Sequence, residues 1–488
     1  MALANVDPVK LKENIYLSSL SLVEFRKHFF PSDDEVEPAP FHFKWDEIIL
    51  RGSGNFAIEG FRESAKTQYA IRGNLLHALT FPRPDRDYVL IVCATKALAE
   101  KRLKEVVDEW LSNPMLSYLK HKIIQQNGDA FEVAYRREIG KDDGFLRRVR
   151  LETYGKGSSI RGAVWRDKRP SLVVIDDPQD TEDSRSSTVL DADWDWFLSD
   201  IHFLGRKSRI FLIGNNLGKG CIIERIFEAK DALGWRTMRV PAMVKGNDGD
   251  MVSTWPAKLT VEQINQERDA FRSLGKIDVW YREKMCKAIS PDSQLFKEAY
   301  FRYYDPLEFK TQGMDVFTTV DLAISEKNDA DYTAVCTVAV NEDNQWFVLD
   351  VDYGRYNPSE QIDAVFRAVK KYRPIVVGIE RVAYQAALEH FLLKEMPMRN
   401  TFFRIEPLKA KGRKDIRIES LQPRFSTGSI WFPKDAPWVG EMKEQLLTFP
   451  KGLHDDLPDA LAYTEQFATV PIHRRTSKPK NARKRGAL

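Results

Sequence analysis

Residues 60–67 read Gly-Phe-Arg-Glu-Ser-Ala-Lys-Thr and follow a short apolar run at residues 56–58. A loop that joins a buried strand to a helix and ends in Lys-Thr can surround a phosphate with backbone N–H groups, while the lysine contacts the outer phosphates and the hydroxyl faces Mg²⁺. A helix can follow over residues 69–79. The stretch therefore predicts a Walker A loop. Its predicted ATP-binding residues are Gly60, Arg62, Glu63, Ser64, Ala65, Lys66 and Thr67.

One residue of this loop departs from the usual pattern. Ala65 stands where such loops usually have glycine. Alanine fits if its φ stays negative, although its methyl group makes the approach of the backbone tighter. The alternative interpretation is a strand, turn and helix with an incidental Lys-Thr pair.

A second fragment, at residues 172–177, has four apolar residues followed by Asp176 and Asp177. Acids at the end of a buried strand suit the water shell of Mg²⁺, so the fragment predicts a Walker B strand. We expect Asp176 to hold the Mg²⁺ together with Thr67, and Asp177 to orient the attacking water. Asp177 replaces the more common glutamate and has a shorter reach. A solvated turn before Pro178 is the alternative, which the presence of both fragments disfavours.

Three further polar residues are candidates for the nucleotide site. Arg62 could clamp a phosphate, and Arg161, in a Gly- and Ser-rich stretch, could act as an arginine finger toward a neighbouring subunit. A surface or DNA-backbone contact is the alternative for either arginine. Asn215 ends the next apolar run, where it could sense the γ-phosphate or simply turn the chain.

The charge of the chain is uneven along its length. The 488 residues have a formal net charge of +3, whereas residues 473–488 alone carry +7 and no acid, so the rest of the chain is slightly negative. Any polyanion must therefore be bound through local patches of the body. No apolar run is long enough to span a bilayer, and the four cysteines lack metal-binding spacing, which predicts free thiols.

The pattern of elements predicts two α/β domains. In the first, short apolar runs alternate with amphipathic helices, which indicates a parallel sheet covered on both faces. The second begins near residue 314 with three strands in succession, followed by helix, strand, helix and strand, which is the order of an RNase H-like fold. The predicted boundaries are an N-terminal adaptor segment at 1–40, a P-loop ATPase domain at 41–245, a lid subdomain at 246–295, a linker at 296–313, an RNase H-like nuclease domain at 314–470 and a basic flexible tail at 471–488.

Carboxylates of the second domain form a candidate two-metal site. Asp321 and Glu380 end two apolar runs that are neighbouring strands in this fold. Asp455, Asp456 and Asp459 are spaced so that the first turn of a helix groups them. Such acids can hold two cations for phosphodiester hydrolysis. The alternatives are ordinary helix capping and solvated strand ends, and Asp331, in an acidic loop, is a further possible ligand.

A basic segment lies close to these acids in the sequence. Its cations suit a DNA backbone, and a solvated charged loop is the alternative. The candidate DNA-binding residues are Lys409, Lys411, Arg413 and Lys414.

Taken together, the chain resembles the large terminase subunit of tailed double-stranded DNA bacteriophages. The resemblance is carried by residues 61–67, 174–178, 253–256 and 454–456, by Asp321 and Glu380, and by the order of the domains. It implies an α/β chain in which a P-loop ATPase domain of the ASCE type, with a small lid, precedes an RNase H-like nuclease. By the same resemblance Arg161 is the trans-acting finger and Asn215 belongs to the coupling segment.

The resemblance also implies an activity and its partners. A terminase of this kind cuts concatemeric viral DNA and pumps double-stranded DNA into a procapsid through the portal by hydrolysing ATP. The cofactors are ATP with Mg²⁺ and, for the nuclease, two Mg²⁺ or Mn²⁺. The expected partners are the portal protein, the small terminase subunit and further copies in a ring, expected to be a pentamer, in the host cytoplasm during virion assembly and not in the mature virion. A helicase-nuclease of repair or recombination and a non-catalytic DNA-binding scaffold are the alternatives.

Overall fold

The computed structural model divides the chain into two compact units. One contains residues 1–246 and 251–290, and the other contains residues 247–250 and 291–488. Elements are described for residues 8–30, 36–116, 119, 121–135, 147–183, 186–204, 208–289, 294–322, 332–380, 385–409 and 413–468, and side chains for the same ranges except residues 8 and 385–387. None of the helices in these ranges is long and apolar enough to cross a bilayer.

The first unit is built on one eight-stranded sheet with a separate two-stranded ribbon. Its strands are β1 (Asn55–Gly60), β2 (Tyr88–Cys93), β3 (His121–Gln126), β4 (Ala130–Tyr135), β5 (Arg147–Gly155), β6 (Leu172–Asp176), β7 (Arg209–Gly214), β8 (Trp235–Val240), β9 (Met243–Lys245) and β10 (Met251–Ser253). Its helices are α1 (Pro8–Leu20), α2 (Leu22–Phe29), α3 (Pro40–Arg51), α4 (Asn74–Thr80), α5 (Lys96–Ser112), α6 (Ser187–Trp196), α7 (Ile222–Glu228), α8 (Lys230–Leu233), α9 (Val261–Ser273) and α10 (Ile277–Met285).

The strand order of the large sheet is β3-β4-β5-β2-β6-β7-β1-β8. The six strands from β5 to β8 in this order are parallel, as the buried apolar runs predict. The other two, β3 and β4, add an antiparallel edge that the sequence analysis did not predict. Strand β7 lies between β1 and β6, so the ends of all three strands meet at one edge of the sheet.

The N-terminal helices pack onto the first unit. The carboxylate of Asp46 on α3 accepts hydrogen bonds from the Ser21 hydroxyl (2.5 Å) and the Leu22 amide (2.8 Å). The Ser18 carbonyl lies 3.1 Å from Nε2 of His77 on α4. Residues 8–29, predicted to lie in a separate adaptor segment, are thus part of the unit because their polar groups are satisfied by it.

The second unit has a seven-stranded sheet of order β11-β17-β14-β13-β12-β15-β16. Its strands are β11 (Arg302–Tyr304), β12 (Asp315–Asp321), β13 (Thr333–Val340), β14 (Trp346–Gly354), β15 (Val376–Glu380), β16 (Ile405–Leu408) and β17 (Ile430–Pro433). Its helices are α11 (Pro358–Tyr372), α12 (Gln385–Met398), α13 (Lys414–Glu419), α14 (Gln422–Ser426), α15 (Val439–Thr448) and α16 (Asp456–Tyr463).

The central five strands of this sheet have the predicted RNase H-like arrangement. Strands β12, β13 and β14 form an antiparallel meander, and β15 and β16 continue parallel to β12 on its other side. Strand β13 is buried on both faces: Ala334 and Cys336 face one core, and Val335 faces the other. The predicted linker at 296–313 contains β11, which pairs with β17, so this part of it belongs to the sheet.

Candidate nucleotide and metal sites

The Walker elements meet at the edge of the first sheet where its parallel strands end. Strand β1 leads into the loop at residues 61–66, β6 ends at Asp176, and β7 ends next to Asn215. In the parallel register Glu59 lies opposite Gly214, and Asp176 lies opposite Ile213. Open α/β sheets bind ligands at the carboxyl ends of their strands, so this edge is the candidate nucleotide site.

The backbone of the loop alternates into the left-handed region. The φ angle is 77° at Glu63 and 60° at Ala65. The condition under which alanine would fit without strain, a negative φ at residue 65, is therefore not met. Left-handed residues turn successive N–H groups toward one point, as in an anion-binding nest. Gly60 is required for another reason: a Cβ there would lie 2.7 Å from the hydroxyl oxygen of Ser64.

We expect Ala65→Gly to stabilise the first unit, because a left-handed alanine costs about 1 kcal/mol that glycine avoids. The transition of this unit in calorimetric unfolding should rise by roughly 2–4 °C. Ala70→Gly is the matched control: Ala70 is buried in the helical segment at residues 67–73, so its replacement should lower the same transition. A lower transition for Ala65→Gly would contradict the strain.

Lys66 is buried and points toward the end of β7. Its Nζ donates to Oδ1 of Asn215 at 2.7 Å and to the Gly60 carbonyl at 3.3 Å. Nδ2 of Asn215 lies 3.4 Å from Oε2 of Glu283 on α10. Asn215 therefore holds the lysine ammonium from the position that the sequence analysis assigned to a coupling residue.

Asp176 makes one ion pair and has one free oxygen. Its Oδ2 accepts from Nε of Arg102 at 3.0 Å, whereas Oδ1 is buried without a hydrogen-bond partner. The hydroxyl of Ser64, in the loop, is likewise buried without a partner. Buried polar atoms are usually satisfied. These two unsatisfied oxygens at one edge of the sheet fit a bound phosphate and the water shell of Mg²⁺.

Asp177 is held by the backbone of β7. Its amide donates to the Ile213 carbonyl at 3.0 Å, and its Oδ1 accepts from the Asn215 amide at 3.1 Å. Its φ is 42°, a further left-handed residue at this edge. Burial raises the pKa of this carboxyl, and the nearby Lys66 opposes that rise. A carboxylate whose pKa is raised is a better proton acceptor.

We expect the pKa of Asp176 to make any nucleotide binding at this edge sensitive to pH. Burial raises this pKa from 3.8 to about 6, with Asp177 adding to the effect. Because Mg²⁺ needs the ionised carboxylate, we expect kcat/KM for MgATP to fall roughly tenfold per pH unit below about pH 6. A flat profile down to about pH 5 would contradict the assignment of Asp176.

Asp176 affects folding stability in the opposite direction: activity should fall as the pH is lowered, whereas the contribution of Asp176 to the free energy of unfolding should rise. Since its folded pKa lies above its unfolded value, the folded chain binds the additional proton between about pH 4 and pH 6. This group therefore stabilises the fold more at the acidic end of that window, and its contribution falls as the pH rises. Circular dichroism at each pH should thus separate loss of activity from unfolding.

Two contacts of the loop come from helix α10, which lies within the predicted lid. The Arg62 amide donates to the Glu283 carbonyl at 2.7 Å, and Oε2 of Glu63 lies 3.3 Å from Nζ of Lys284. Neither Glu283 nor Lys284 was predicted, and neither was Arg102. Their sequence neighbourhoods are ordinary amphipathic helices, and only the register of the folded sheet shows that they reach the site.

A histidine couples the loop to α3. His42 is buried, which lowers its pKa to about 4 and keeps it neutral. Its Nδ1 accepts from the Ala39 amide at 2.9 Å, so its Nε2–H donates to the Ser64 carbonyl at 2.9 Å.

Arg161, the candidate arginine finger, has a side chain that is 64% exposed and lies 3.4 Å from Asp200.

The predicted nuclease acids lie together at one edge of the second sheet. Asp321 ends β12 and Glu380 ends β15, and the two strands are parallel neighbours with Val320 opposite Ile379. The hydroxyl of Thr319 donates to the Ala460 carbonyl at 2.7 Å, which fastens α16 beside β12. The three elements thereby bring their acids to one place.

Asp455 and Asp456 share one cation. Nζ of Lys414 lies 2.7 Å from Oδ1 of Asp455, 2.6 Å from Oδ1 of Asp456 and 3.9 Å from Oδ2 of Asp321. Asp455 precedes α16 but its side chain makes no capping hydrogen bond. The capping interpretation therefore fails for Asp455, whose carboxylate is directed to the ammonium instead.

A second cation holds the remaining acid of α16. Nε and Nη2 of Arg417 donate to the two oxygens of Asp459 at 2.5 Å and 2.6 Å. Burial and the neighbouring charge of Asp459 raise the pKa of Asp321, and Lys414 opposes the rise. The negative charges of Asp456, Glu380 and Asp459 all raise the pKa of Asp321. The cluster therefore has excess negative charge, which favours the binding of cations.

The acids do not enclose a metal position in this conformation. Within the described ranges no group of three or more His, Cys, Asp or Glu side chains is arranged to hold a metal ion. The predicted set of Asp321, Glu380, Asp455 and Asp456 is thus not assembled as predicted, because three of these acids are drawn to the Lys414 ammonium. Their hard carboxylate oxygens nevertheless fit Mg²⁺ or Mn²⁺.

The predicted DNA-binding residues separate into two groups. The Lys409 backbone pairs with Gln466, and Arg413, with its side chain 82% exposed, contacts only Asp415. Lys414, expected to contact DNA, instead points into the acid cluster, because the carboxylates there attract it more strongly than solvent does. Lys411 and Asp331 lie outside the described residues.

Comparison with known proteins matches the second unit to one family. Residues 318–465 match the model of the terminase RNaseH-like domain. Among curated proteins, none matches the chain.

Solved phage structures are similar to both parts of the chain. The large terminase of bacteriophage HK97 has 11% identity and a TM-score of 0.36, over 88% of this chain and 92% of that one. The large terminase ATPase domain of Thermus phage P74-26 has 14% identity and a TM-score of 0.32, over 54% and 97%. The large terminase nuclease of thermophilic phage G20c with bound magnesium has 14% identity and a TM-score of 0.26, over 35% and 97%.

The family match covers every acid of the second site. Asp321, Glu380, Asp455, Asp456 and Asp459 all fall within the matched residues. The unit that precedes them contains the candidate Walker A loop between β1 and a helical segment, and β6, which ends in Asp176, is separated from β1 by β7. Residues 318–465, which contain the second site, therefore match a terminase RNase H-like domain.

Proposed function

We propose that this chain is the motor of viral genome packaging, which hydrolyses ATP to move double-stranded DNA into a procapsid and cuts concatemeric DNA with a two-metal endonuclease. The observation that carries the proposal is the presence, on one chain, of a P-loop site and of an acid cluster within a terminase RNaseH-like domain. A motor and a nuclease on one chain act on the same DNA.

At the ATPase site each residue has a distinct task. Lys66, which Asn215 holds at 2.7 Å, would exchange that amide oxygen for the outer phosphates of ATP. Asp176 and Thr67 would hold Mg²⁺, which neutralises phosphate charge when bound. Asp177 is the candidate for orienting the attacking water. The exposed guanidinium of Arg161 is available to a neighbouring subunit, as a trans-acting finger requires.

At the nuclease site the acids supply the chemistry. Asp321, Glu380, Asp455 and Asp456 would hold two Mg²⁺ or Mn²⁺, which activate water and stabilise the leaving oxygen when bound. Lys409 and Arg413, which are both exposed, would contact the DNA backbone. Lys411 belongs to the same proposed contact.

The proposed partners follow from the packaging role. They are double-stranded DNA, the portal protein, the small terminase subunit and further copies of this chain in a pentameric ring. The proposed place of action is the host cytoplasm during virion assembly. A ring is favoured because a trans-acting Arg161 completes the ATPase site only when two copies meet.

A packaging assay tests the function directly. Purified chain is mixed with procapsids, ATP, Mg²⁺ and linear DNA, and the DNA that resists added nuclease is measured. We expect ATP-dependent protection of DNA that requires both procapsids and the chain. DNA unwinding without protection would favour a helicase-nuclease, and DNA binding without ATP turnover would favour a scaffold.

A further inference from the structure

We propose that Lys414 is a built-in substitute for a divalent cation: its ammonium holds the nuclease carboxylates in the metal-free protein and must leave before metal binds. The inference rests on the proposed nuclease function of the same acids. It assigns to Lys414 a positioning role in metal loading in place of the DNA contact expected from the sequence.

The first support is the position of the ammonium among the acids. Nζ lies within 2.7 Å of one oxygen of Asp455 and of Asp456, and 3.9 Å from Asp321. These distances are those of strong charge-assisted hydrogen bonds to the first two acids. One monovalent cation thus takes up oxygen ligands that the family match places in the nuclease domain.

The second support is that these contacts are selective. Arg413, the preceding residue, has an 82% exposed side chain and contacts no acid of the cluster. Lys414 is only 33% exposed, and Asp456 is 4% exposed. A long, flexible lysine would remain in water unless its attraction to the acids offset the free energy lost on dehydration. The inward position of Lys414 therefore reflects the negative charge of the cluster.

The third support is the way α13 crosses the site. Lys414 and Arg417 are three residues apart and lie on one face of the helix. Lys414 binds Asp455 and Asp456, while Arg417 binds Asp459 through both oxygens. The bidentate arginine can keep the helix docked when the single ammonium is displaced, which makes Lys414 the exchangeable cation of the pair.

We expect a divalent cation to displace the Lys414 ammonium because of its greater charge. A divalent cation at the same oxygens brings twice the charge, but the ammonium would repel it at short range and must vacate its ligands. Removing the ammonium should therefore strengthen divalent binding, although it exposes the metal-free acids to mutual repulsion. A lysine with a purely structural role gives the opposite result, because its loss would only weaken the site.

The test is Mn²⁺ binding to the full-length protein without nucleotide, measured by isothermal titration calorimetry. Lys414→Met keeps the length of the side chain and removes its charge. We expect it to bind Mn²⁺ at least about tenfold more tightly than wild type. Lys414→Arg, which keeps the charge, should not gain affinity. Asp321→Asn identifies which of the measured binding belongs to this site.

Lys371→Met is the matched control, because this lysine pairs with Asp350 at 3.0 Å and touches no acid of the cluster. It should bind Mn²⁺ as wild type does. Unfolding gives a second readout: Lys414→Met should melt at a lower temperature than wild type in EDTA and gain more from Mn²⁺. If Lys414→Met does not fold in EDTA, Lys414→Gln is used, and recovery of its fold by Mn²⁺ is the expected result.

The outcomes separate the two proposals. Equal or weaker Mn²⁺ binding by Lys414→Met, with binding in wild type that Asp321→Asn abolishes, would overturn the substitute-cation role and leave the nuclease site standing. Absence of any Asp321-dependent Mn²⁺ binding in all variants would overturn both. Tighter binding that Lys414→Arg also shows would attribute the effect to the shape of the side chain and reject the charge argument.

Discussion

Lys66→Ala is expected to abolish ATP hydrolysis, by about a thousandfold or more, while Mg²⁺- or Mn²⁺-dependent DNA cleavage continues. The lysine is buried at the loop, and its ammonium already faces the edge of the sheet where Asn215 and the Walker acids meet. Removing a preorganised cation at a site of developing phosphate charge costs several kcal/mol of transition-state stabilisation. Alanine also leaves the Asn215 side chain without the donor that holds it.

The measurement is phosphate release with the full-length protein, followed by plasmid cleavage on the same preparation. Lys104→Ala is the matched control, because Lys104 is an exposed lysine on α5 and should leave both activities unchanged. Persistent ATP turnover by Lys66→Ala would show that the loop at residues 60–67 is not a Walker A loop. Loss of both activities with a changed circular dichroism spectrum would indicate misfolding and call for Lys66→Arg.

Asp321→Asn is expected to have the reciprocal effect, abolishing DNA cleavage while ATP hydrolysis continues. The asparagine keeps the shape of a side chain that is buried at the end of β12 and removes its negative charge. Metal ligation needs that charge, so cleavage should fall by about a thousandfold. Burial and neighbouring acids raise the pKa of Asp321, so the neutral amide should also relieve repulsion and leave the fold at least as stable.

Asp315→Asn controls for a change of charge on the same strand, since Asp315 begins β12 whereas Asp321 ends it. It should cleave plasmid DNA as wild type does. Continued cleavage by Asp321→Asn would reject the nuclease assignment of these acids. Measured together, Lys66→Ala and Asp321→Asn should separate the two activities of one chain, which neither variant can do alone.

The sequence was sufficient for the parts of the fold that rest on local pattern. The apolar runs at β1, β2, β6 and β7 are short, continuous and followed by helices, which is what a parallel sheet requires. The three-strand meander before α11 likewise gave the RNase H-like order. In both units the strand ends then fix where the acids and the loop must lie.

The edge strands of the sheets and the register between strands could not be predicted from the sequence. The hairpin of β3 and β4, and the pairing of β11 with β17, add strands at the ends of sheets, where few contacts specify them. Arg102 reaches Asp176 only because β2 and β6 are neighbours with Cys93 opposite Asp176. No spacing within the helix α5 predicts that contact.

In the candidate sites, too, some features could be predicted from the sequence and others could not. The residue types were read from the chain, but their partners were set by charges that meet only in the folded state. Lys414 was assigned to DNA because it belongs to a basic run, whereas the folded chain places it against Asp455 and Asp456. The left-handed backbone at Ala65 was missed because a residue other than glycine rarely adopts it.

Arg102 pairs with Asp176, and Lys414 pairs with Asp455 and Asp456. We expect these ion pairs to separate folding of the chain from its later activation by metal. A chain whose acids need metal to fold is lost whenever chelators or scarcity remove that metal. Here internal cations offset part of the negative charge of the acids, so we expect the chain to fold before metal binds. Purification in EDTA should therefore yield intact protein that becomes active when Mg²⁺ is restored.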